Sequence, residues 1–119
     1  MKKRILVVED DMDILEIIEI VLNEDNYEIS TSTTGKDVVE LIHKNDPDLI
    51  LMDIRLGELD GRQICRELKK GIHCVNTPIV LMSAHAVSTD IKKEACAADF
   101  IAKPFDIDDL LLRVKNLIA

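Results

Sequence analysis

Five short apolar runs, each followed by a segment with helical periodicity, constrain the fold of this sequence more than any other feature. Leu49, Ile50, Leu51 and Met52 follow one another with no polar break, as in a strand that is covered on both faces. Alternation of such strands with helices favours a parallel β-sheet that carries helices on both sides. The predicted strands are Ile5–Val8, Tyr27–Thr31, Leu49–Asp53, Ile79–Ser83 and Asp99–Lys103.

The segments between these strands are predicted to be helices, because their apolar residues recur at helical spacing. Tyr27–Thr31 is more polar than the other predicted strands, so we expect it at an edge of the sheet. No repeat, low-complexity segment or interdomain linker interrupts the pattern, so residues 1–119 are predicted to form one domain. The predicted helices span 13–23, 35–44, 61–70, 89–97 and 106–118, and the first is expected to bury Ile14, Ile17, Ile18, Val21 and Leu22.

Charge and cysteine usage exclude several classes of protein. The chain has 15 Lys and Arg against 23 Asp and Glu, and its net charge of -8 repels nucleic-acid phosphates. Its 3 cysteines, at unrelated spacings, fit neither a disulfide framework nor a zinc site and indicate reduced thiols in a cytoplasmic protein. Acids follow the apolar run Ile5–Val8 at once, which excludes a signal peptide, and no apolar run approaches a membrane span. We therefore expect neither direct nucleic-acid binding nor membrane association.

Polar and charged side chains follow the predicted strands where the strands end. Glu9 and Asp10 follow the first strand, Asp53 ends the third, Ser83 ends the fourth and Lys103 ends the fifth. In open α/β sheets the functional crevice lies beyond the carboxyl ends of the strands, so these side chains are expected to converge. Taken singly, each also fits an ordinary polar loop in which Lys103 neutralises the acids.

Three converging carboxylates repel one another and require a cation among them. At about 5 Å and an effective dielectric constant near 20, two unit charges repel by roughly 3 kcal/mol. An oxygen-rich cluster suits Mg²⁺, which takes one or two carboxylates together with a phosphate oxygen. Mg²⁺, a carboxylate, a lysine and a hydroxyl form a phosphoryl-transfer constellation in which the carboxylate attacks in line. These residues therefore predict that Asp53 is a nucleophile that becomes an aspartyl phosphate.

Five stretches in a fixed order carry a resemblance to a known family. They are "ILVVEDD", "LILMDIR", the dipeptide Asp60-Gly61, "IVLMSA" and "DFIAKPF". Each is weak alone, but together they resemble the receiver domains of two-component response regulators, which include single-domain chemotaxis and sporulation regulators. The resemblance covers the whole chain. It implies a flavodoxin-like, doubly wound α/β fold whose five-stranded parallel sheet has the order 2-1-3-4-5.

The resemblance implies a phosphorylation and metal site. Asp53 corresponds to the phospho-acceptor, which also faces the metal, and Asp10 corresponds to the direct carboxylate ligand of Mg²⁺. Glu9 corresponds to the neighbouring acid that acts through water. The backbone carbonyl of Arg55, two residues after the acceptor, corresponds to a further metal ligand. Mg²⁺ is the implied cofactor, with Mn²⁺ as an alternative.

The resemblance also implies a conformational switch. Lys103 corresponds to the lysine that contacts the acyl phosphate, and the peptide before Pro104 is often cis in this family. Ser83 corresponds to the hydroxyl that moves towards the phosphoryl group, and Ala84 to the small residue that leaves space for it. Phe100 stands where the family has its switching aromatic residue.

The implied function is that of a signalling module that catalyses only its own phosphorylation and dephosphorylation. Its implied partner is a sensor histidine kinase or a histidine phosphotransfer protein. The surface made by the fourth helix, fifth strand and fifth helix is expected to contact an output partner or a second copy. A haloacid-dehalogenase-type phosphohydrolase is the alternative, but "VVEDDMD" lacks the D-x-D-x-T pattern of that class. A nucleotide-binding domain is disfavoured, because the first strand–helix turn has no Gly-rich fingerprint.

Three departures from the family pattern leave the phosphorylation chemistry untouched. Glu9 replaces the first Asp of the usual acidic pair. Gly57 stands where Pro is usual after the acceptor, so that loop is expected to be more mobile. Cys96-Ala97 replaces Gly-Ala before the fifth strand, and a positive φ at Cys96 would carry strain.

A few further residues are open between two roles. Asp11 is either a supporting acid of the site or the N-cap of the first helix. His85, two residues after Ser83, is either a plain surface residue or a residue at the mouth of the site that affects dephosphorylation. His43 and His73 are interpreted as surface residues.

Overall fold

A computed structural model describes residues 2–71, 76–84 and 90–118, along which strands and helices alternate. The helices are α1 (Met12–Glu24), α2 (Val38–Asn45), α3 (Gly61–Lys70), α4 (Ile91–Ala95) and α5 (Ile107–Ile118). The strands are β1 (Arg4–Val8), β2 (Glu28–Ser32), β3 (Leu49–Asp53), β4 (Arg55–Leu56), β5 (Leu59–Asp60), β6 (Ile79–Ser83) and β7 (Asp99–Ala102).

Five parallel strands form one sheet in the order β2-β1-β3-β6-β7. Because β6 and β7 are the fourth and fifth predicted strands, the predicted order and the flavodoxin-like α/β class are confirmed, with β2 at an edge. Met52 lies opposite Val8 of β1, and Asp53 lies opposite Met82 of β6. The central strand therefore carries Asp53 to the carboxyl edge of the sheet, between its two neighbours.

Apolar side chains pack against both faces of the sheet in two clusters. Leu49 and Leu51 of β3 belong to the cluster that includes residues of α1 and α5. Ile50 and Met52 belong to the cluster that includes residues of α2, α3 and α4. Every residue of β3 is buried, because successive side chains point to opposite apolar layers. This arrangement explains the unbroken apolar run in the sequence.

The first helix buries a face that differs in part from the predicted one. Leu15, Ile18 and Leu22 are buried, at the i, i+3 and i+7 spacing of one helical face. Ile17 is 49% exposed, so its prediction as a buried residue is wrong. It precedes Ile18 by one residue, which rotates it by about 100° around the helix and away from the sheet.

The second helix begins three residues later than predicted, at Val38. The preceding turn is held by its own hydrogen bonds, since the amide of Gly35 donates to the Ser32 hydroxyl and that hydroxyl donates to Asp37. Gly35 has a φ of +80°, which no helix residue adopts. The turn therefore excludes its residues from the helix.

The remaining helices agree with the predictions to different degrees. α3 has the predicted bounds, and α5 begins one residue later than predicted. α4 is shorter than the predicted span 89–97, whose first residue lies outside the described part of the chain.

Within residues 2–71, 76–84 and 90–118, no helix combines the length and the apolar character needed to cross a membrane.

A short antiparallel hairpin, absent from the predictions, lies between β3 and α3. Its strands Arg55–Leu56 and Leu59–Asp60 pair around a two-residue turn that begins with Gly57. Gly57 has a φ of +62°, a left-handed conformation that glycine adopts without steric cost. The Leu56 side chain is 2% exposed and anchors the hairpin in the core. A Gly-X pair between two leucines is a hairpin signal, but strands of two residues escape a search for longer alternating runs.

Candidate functional site

The carboxyl ends of the parallel strands meet at one edge of the sheet. Backbone hydrogen bonds continue past the strand ends there: the amide of Lys103 donates to the carbonyl of Ser83 at 2.8 Å. The amide of Glu9 donates to the carbonyl of Ser32 at 3.0 Å. The sheet itself therefore fixes the backbone positions from which the polar side chains project.

Lys103 joins two buried acids at this edge. Its Nζ donates to Oδ2 of Asp53 at 3.0 Å and also to Oε1 of Glu9. The side chains are 9% exposed for Lys103, 10% for Asp53 and 0% for Glu9. Since an unpaired charge at this depth is costly, each of these groups depends on the others for its compensation.

The three groups respond differently to their shared burial. The pKa of Glu9 is raised from its ordinary value to about 7, and burial is the largest cause. The hydrogen bond from Lys103 lowers this pKa, and the neighbouring Asp53 raises it further. Burial lowers the pKa of Lys103, but the hydrogen bonds and charges of Glu9 and Asp53 together raise it above its ordinary value. Lys103 therefore keeps its charge at neutral pH, whereas Glu9 changes its charge there.

Three carboxylates at this edge are arranged to hold a cation. One oxygen from each of Glu9, Asp10 and Asp53 lies within 4.8 Å of the others, and the described residues contain no second group of this kind. Oxygen donors without sulfur or imidazole suit a hard cation such as Mg²⁺. Asp10 is exposed, so the cluster is open to solvent on its side. The donor set therefore fits the predicted metal.

Backbone amides hold all three carboxylates, and the hairpin supplies two of the donors. The pairs are Arg55 N to Asp53 Oδ1 at 3.3 Å, Asp11 N to Glu9 Oε2 at 3.3 Å and Gly57 N to Asp10 Oδ2 at 3.1 Å. The hairpin is thereby part of the site. Gly57 is a site residue that the sequence reasoning missed, because it considered only the mobility of this position.

Asp11 serves as the N-cap of α1. Its Oδ1 accepts from the amides of Asp13 and Ile14 at 3.0 and 3.2 Å. Of the two roles that the sequence left open, the structure therefore shows the cap, which satisfies amides that the first helical turn cannot pair.

Gly61 lets the first turn of α3 approach the backbone at the end of β3. A Cβ at this position would lie 2.2 Å from the carbonyl oxygen of Asp53 and 3.0 Å from Cα of Ile54. The amide of Gly61 donates to the carbonyl of Ile54 at 2.6 Å. A side chain here would therefore push α3 and the end of β3 apart, which is a physical reason for glycine after Asp60.

The residues predicted to form the switch lie on β6 and β7. Ser83 ends β6 and is 5% exposed, and Ala84 after it is exposed. Phe100 is half-buried, lies opposite Leu81 in the register and packs against the same core cluster. Arg113 of α5 donates to the carbonyl of Phe100 at 3.1 Å, so this strand is tied to the last helix.

Two backbone features match the expectations from the resemblance. Cys96 has a φ of +62°, so the left-handed strain considered from the sequence falls on this residue. The Lys103–Pro104 peptide is cis.

Of the histidines, His43 is exposed on α2, whereas His73 and His85 lie outside the described residues.

The parallel sheet and the group of three acids at its carboxyl edge define a class of flavodoxin-like α/β domain with a candidate cation site, and the comparison with known families identifies the family. The family model of the response regulator receiver domain matches residues 5–115. The chain belongs to the response regulator receiver domain family of two-component systems. Receiver domains are signalling domains rather than conventional enzymes.

Solved structures of receiver domains superpose on nearly the whole chain. A protein of Chloroflexus aurantiacus described as a response regulator has 31% sequence identity and a TM-score of 0.89, over 99% of this chain and 98% of that one. A Francisella response regulator receiver domain has 32% identity and a TM-score of 0.87, over 98% and 97%. The receiver domain of a Pseudomonas aeruginosa PAO1 sensor histidine kinase has 30% identity and a TM-score of 0.86, over 99% and 98%. That Pseudomonas domain has a magnesium ion coordinated in its active-site cleft.

Proposed function

We propose that residues 1–119 form a phosphorylation-switched receiver in which Asp53 accepts a phosphoryl group from a histidine kinase or a histidine phosphotransfer protein. The position of the Asp53 carboxylate carries this proposal. Its Oδ2 is 3.0 Å from Nζ of Lys103, and one of its oxygens lies within 4.8 Å of oxygens of Glu9 and Asp10. A carboxylate held between an ammonium and metal-binding acids suits phosphoryl transfer.

In the proposed reaction an oxygen of Asp53 attacks the phosphorus of the donor phosphohistidine, in line with the P–N bond. The O–P bond forms as the P–N bond breaks, and the electron pair of the broken bond stays on the imidazole nitrogen, which takes up a proton from water. The products are an aspartyl phosphate on this chain and a neutral histidine on the donor. Lys103 already contacts Asp53, so its ammonium is in place to donate to the transferred phosphoryl oxygens.

Glu9, Asp10, Asp53 and the backbone carbonyl of Arg55 would hold Mg²⁺, or Mn²⁺ in its place. When bound, the metal supplies positive charge to the phosphoryl oxygens. Two observations support this assignment: the oxygen-rich group of three acids and the magnesium ion in the cleft of a relative with 30% identity. The residues around the metal contribute orientation, through the amides that hold each carboxylate.

An apolar groove beside Lys103 is the proposed docking surface for the phosphoryl donor. It is lined by Ile14 and Ile17 of α1 and by Pro104, Phe105 and Ile107. Ile17 and Ile107 are 49% and 44% exposed, an unusual state for large aliphatic side chains clustered in one groove. A donor helix seated there would lie next to the lysine that contacts Asp53, so that its phosphohistidine reaches the acceptor.

The face made by α4, β7 and α5 is the proposed output surface, read by a partner or a second copy. A chain of contacts leads to it from the site. Lys103 and Ser83 share a backbone hydrogen bond of 2.8 Å, and Phe100 lies on the same strand that ends before Lys103. Arg113 of α5 then contacts both Asp99 and the Phe100 carbonyl, at 2.9 and 3.1 Å.

Incubation with acetyl phosphate and Mg²⁺, followed by intact-protein mass spectrometry, tests the acceptor. The parent chain is expected to gain the mass of one phosphoryl group, and Asp53→Asn is expected to gain none, because the amide is not a competent nucleophile here. Asp25→Asn, at the exposed C-cap of α1, is the control and should be modified like the parent. Equal modification of the Asp53 variant would contradict the assignment, and release of many equivalents of phosphate would indicate a hydrolase instead.

A further inference from the structure

We propose that the backbone amide of Gly57 is a positioning group for the Asp10 carboxylate and holds this acid in the metal site before a cation arrives. The inference rests on the function proposed above, in which Asp10 is a metal ligand. It starts from the hydrogen bond of 3.1 Å that Gly57 N donates to Asp10 Oδ2, between residues 47 positions apart.

Asp10 needs such a donor more than the other two acids do. Glu9 and Asp53 are 0% and 7% exposed, and both are held by Lys103. Asp10 is exposed, and one of its oxygens lies within 4.8 Å of oxygens of both other acids. An exposed carboxylate repelled by two neighbours tends to rotate towards solvent, and a hydrogen bond to its charged form opposes that rotation.

The donor lies on a fixed element rather than on a free loop. Gly57 begins the turn of the hairpin, whose Leu56 is buried and paired with Leu59. Behind the hairpin, the amide of Gly61 donates to the carbonyl of Ile54 at 2.6 Å. The direction of the Gly57 amide is therefore set by core packing, which is what orientation of a metal ligand requires.

Two properties of residue 57 are needed for this role. The first is a φ of +62°, which favours glycine. The second is an N–H group, which proline lacks in addition to being unable to adopt a positive φ. A carboxylate has two oxygens, so one oxygen of Asp10 can accept from Gly57 while the other serves a cation.

Removal of the donor is expected to weaken Mg²⁺ binding by about threefold to tenfold. Loss of a partner that orients a metal ligand typically costs roughly 10- to 100-fold in metal affinity. The loss expected here is smaller than that, because Asp10 is exposed and water competes for its carboxylate.

Replacement of Gly57 by glycolic acid through semisynthesis makes the test local, because the ester keeps the backbone shape and places an oxygen where the N–H donates; the comparison with Asp10→Ala described below separates the loss of this donor from the weaker acceptor strength of the preceding carbonyl. Gly57→Asn is the matched control, since asparagine keeps the N–H and tolerates the left-handed conformation. A Cβ at residue 57 would meet no atom within 4 Å, so the Cβ of the control introduces no clash. The Mg²⁺ dissociation constant of the parent and of both variants is measured by NMR titration of amide shifts. The ester is expected to bind about threefold to tenfold more weakly and the Asn variant within about twofold of the parent.

A second readout needs no metal. In urea unfolding with EDTA, the ester should lower the free energy of unfolding more in the parent than in Asp10→Ala. The Asp10→Ala variant lacks the carboxylate that accepts from Gly57, so removal of the donor breaks no hydrogen bond there. Equal Mg²⁺ affinity of ester and parent, or equal ester effects in the two backgrounds, would overturn the positioning role alone. A parent that binds no Mg²⁺ would overturn it together with the proposed metal site.

Discussion

Nζ of Lys103 lies 3.0 Å from Oδ2 of Asp53, although 50 residues separate the two in the sequence. The same ammonium donates to Glu9, so one cation compensates two buried acids. One positive charge cannot neutralise both, and burial raises the pKa of Glu9 to about 7. Occupation of the site by a proton or by a cation therefore matters for the stability of the whole domain.

The metal-free domain is expected to lose stability as the pH rises from about 4.5 to about 7. The pKa of Glu9 is about 7 in the folded chain against an ordinary value of 4.5. The folded state therefore binds more protons than the unfolded state in this window, so the free energy of unfolding falls as the pH rises. The pKa difference corresponds to a fall of at most about 3 kcal/mol. Urea unfolding in EDTA across this window measures it.

Glu9→Gln is the matched control for this pH dependence, because the amide cannot ionise. Its free energy of unfolding should fall less over the same window, and the difference between the two curves isolates the contribution of Glu9. Parallel curves for parent and variant would show that Glu9 ionises in the folded chain as it does in the unfolded one.

Gly61→Ala is expected to slow phosphorylation as well as reduce stability. Its Cβ would lie 2.2 Å from the carbonyl oxygen of Asp53, so the end of β3 must shift, and with it Asp53, the proposed acceptor. Such overpacking typically costs about 1–3 kcal/mol of unfolding free energy. The rate of modification by acetyl phosphate, followed by intact mass, and urea unfolding together measure the two effects.

Gly71→Ala provides a matched control for this variant. Its Cβ would lie 2.3 Å from the carbonyl oxygen of Glu67, a clash of similar size at the other end of α3. This variant should lose stability and keep the parent's phosphorylation rate at temperatures where both variants are folded. If both variants slow phosphorylation alike, the effect comes from general destabilisation and not from the position of Asp53.

The sequence was sufficient to predict the sheet and the convergence of its charged ends. The unbroken apolar run Leu49–Met52 predicts a strand covered on both faces. In the structure each of its residues packs into one of the two apolar clusters. The order of the strands then places whatever follows them at one edge, which is how Glu9, Asp53 and Lys103 come together. These features follow from local periodicity and from the connection rules of parallel sheets.

Features that depend on tertiary placement escaped the sequence reasoning. The periodicity of α1 predicts an apolar stripe along the helix. Whether Ile17 is buried depends on how the helix is rotated against the sheet, and the periodicity does not determine that rotation. The hydrogen bond from Gly57 to Asp10 links the hairpin turn to the segment after β1, 47 residues away in the sequence, and no local pattern encodes it. Its existence depends on the hairpin, whose strands are too short to show alternation.

Ile17→Glu is expected to slow phosphotransfer from the cognate histidine kinase by about tenfold or more, because it buries a charge in the proposed donor groove. Modification by acetyl phosphate should be unchanged, since this small donor needs no docking surface. Ile20→Glu is the matched control: Ile20 is 50% exposed on the same helix and does not line the groove. Radiolabelled transfer from the kinase measures the rates. Equal slowing by both variants, or none by either, would contradict docking at this groove.

Phosphorylation is expected to change the environment of Phe100 and of the α4–β7–α5 face. In the proposed switch, new phosphoryl oxygens would accept hydrogen bonds from the Ser83 hydroxyl and the Lys103 ammonium, and Ser83 would move inward. Phe100 has no phenolic hydroxyl, so it can rotate into the vacated space without losing a hydrogen bond. This rotation is a population shift between two packings, worth about 1–3 kcal/mol.

Backbone NMR with and without beryllofluoride, a phosphoryl mimic, measures this switch. In the parent, amide shifts should extend from Asp53 to Phe100 and α4; in Ser83→Ala the shifts near Asp53 should remain while those of Phe100 shrink. Ser30→Ala, on the edge strand β2, is the control and should respond like the parent. Ser83 is joined to Lys103 by a backbone hydrogen bond, and Phe100 lies on the strand that ends before Lys103. If the mimic binds at Asp53 and the shifts of Phe100 do not change, these contacts do not couple the site to the α4–β7–α5 face. The chain would then carry a phosphoryl group without switching its output surface.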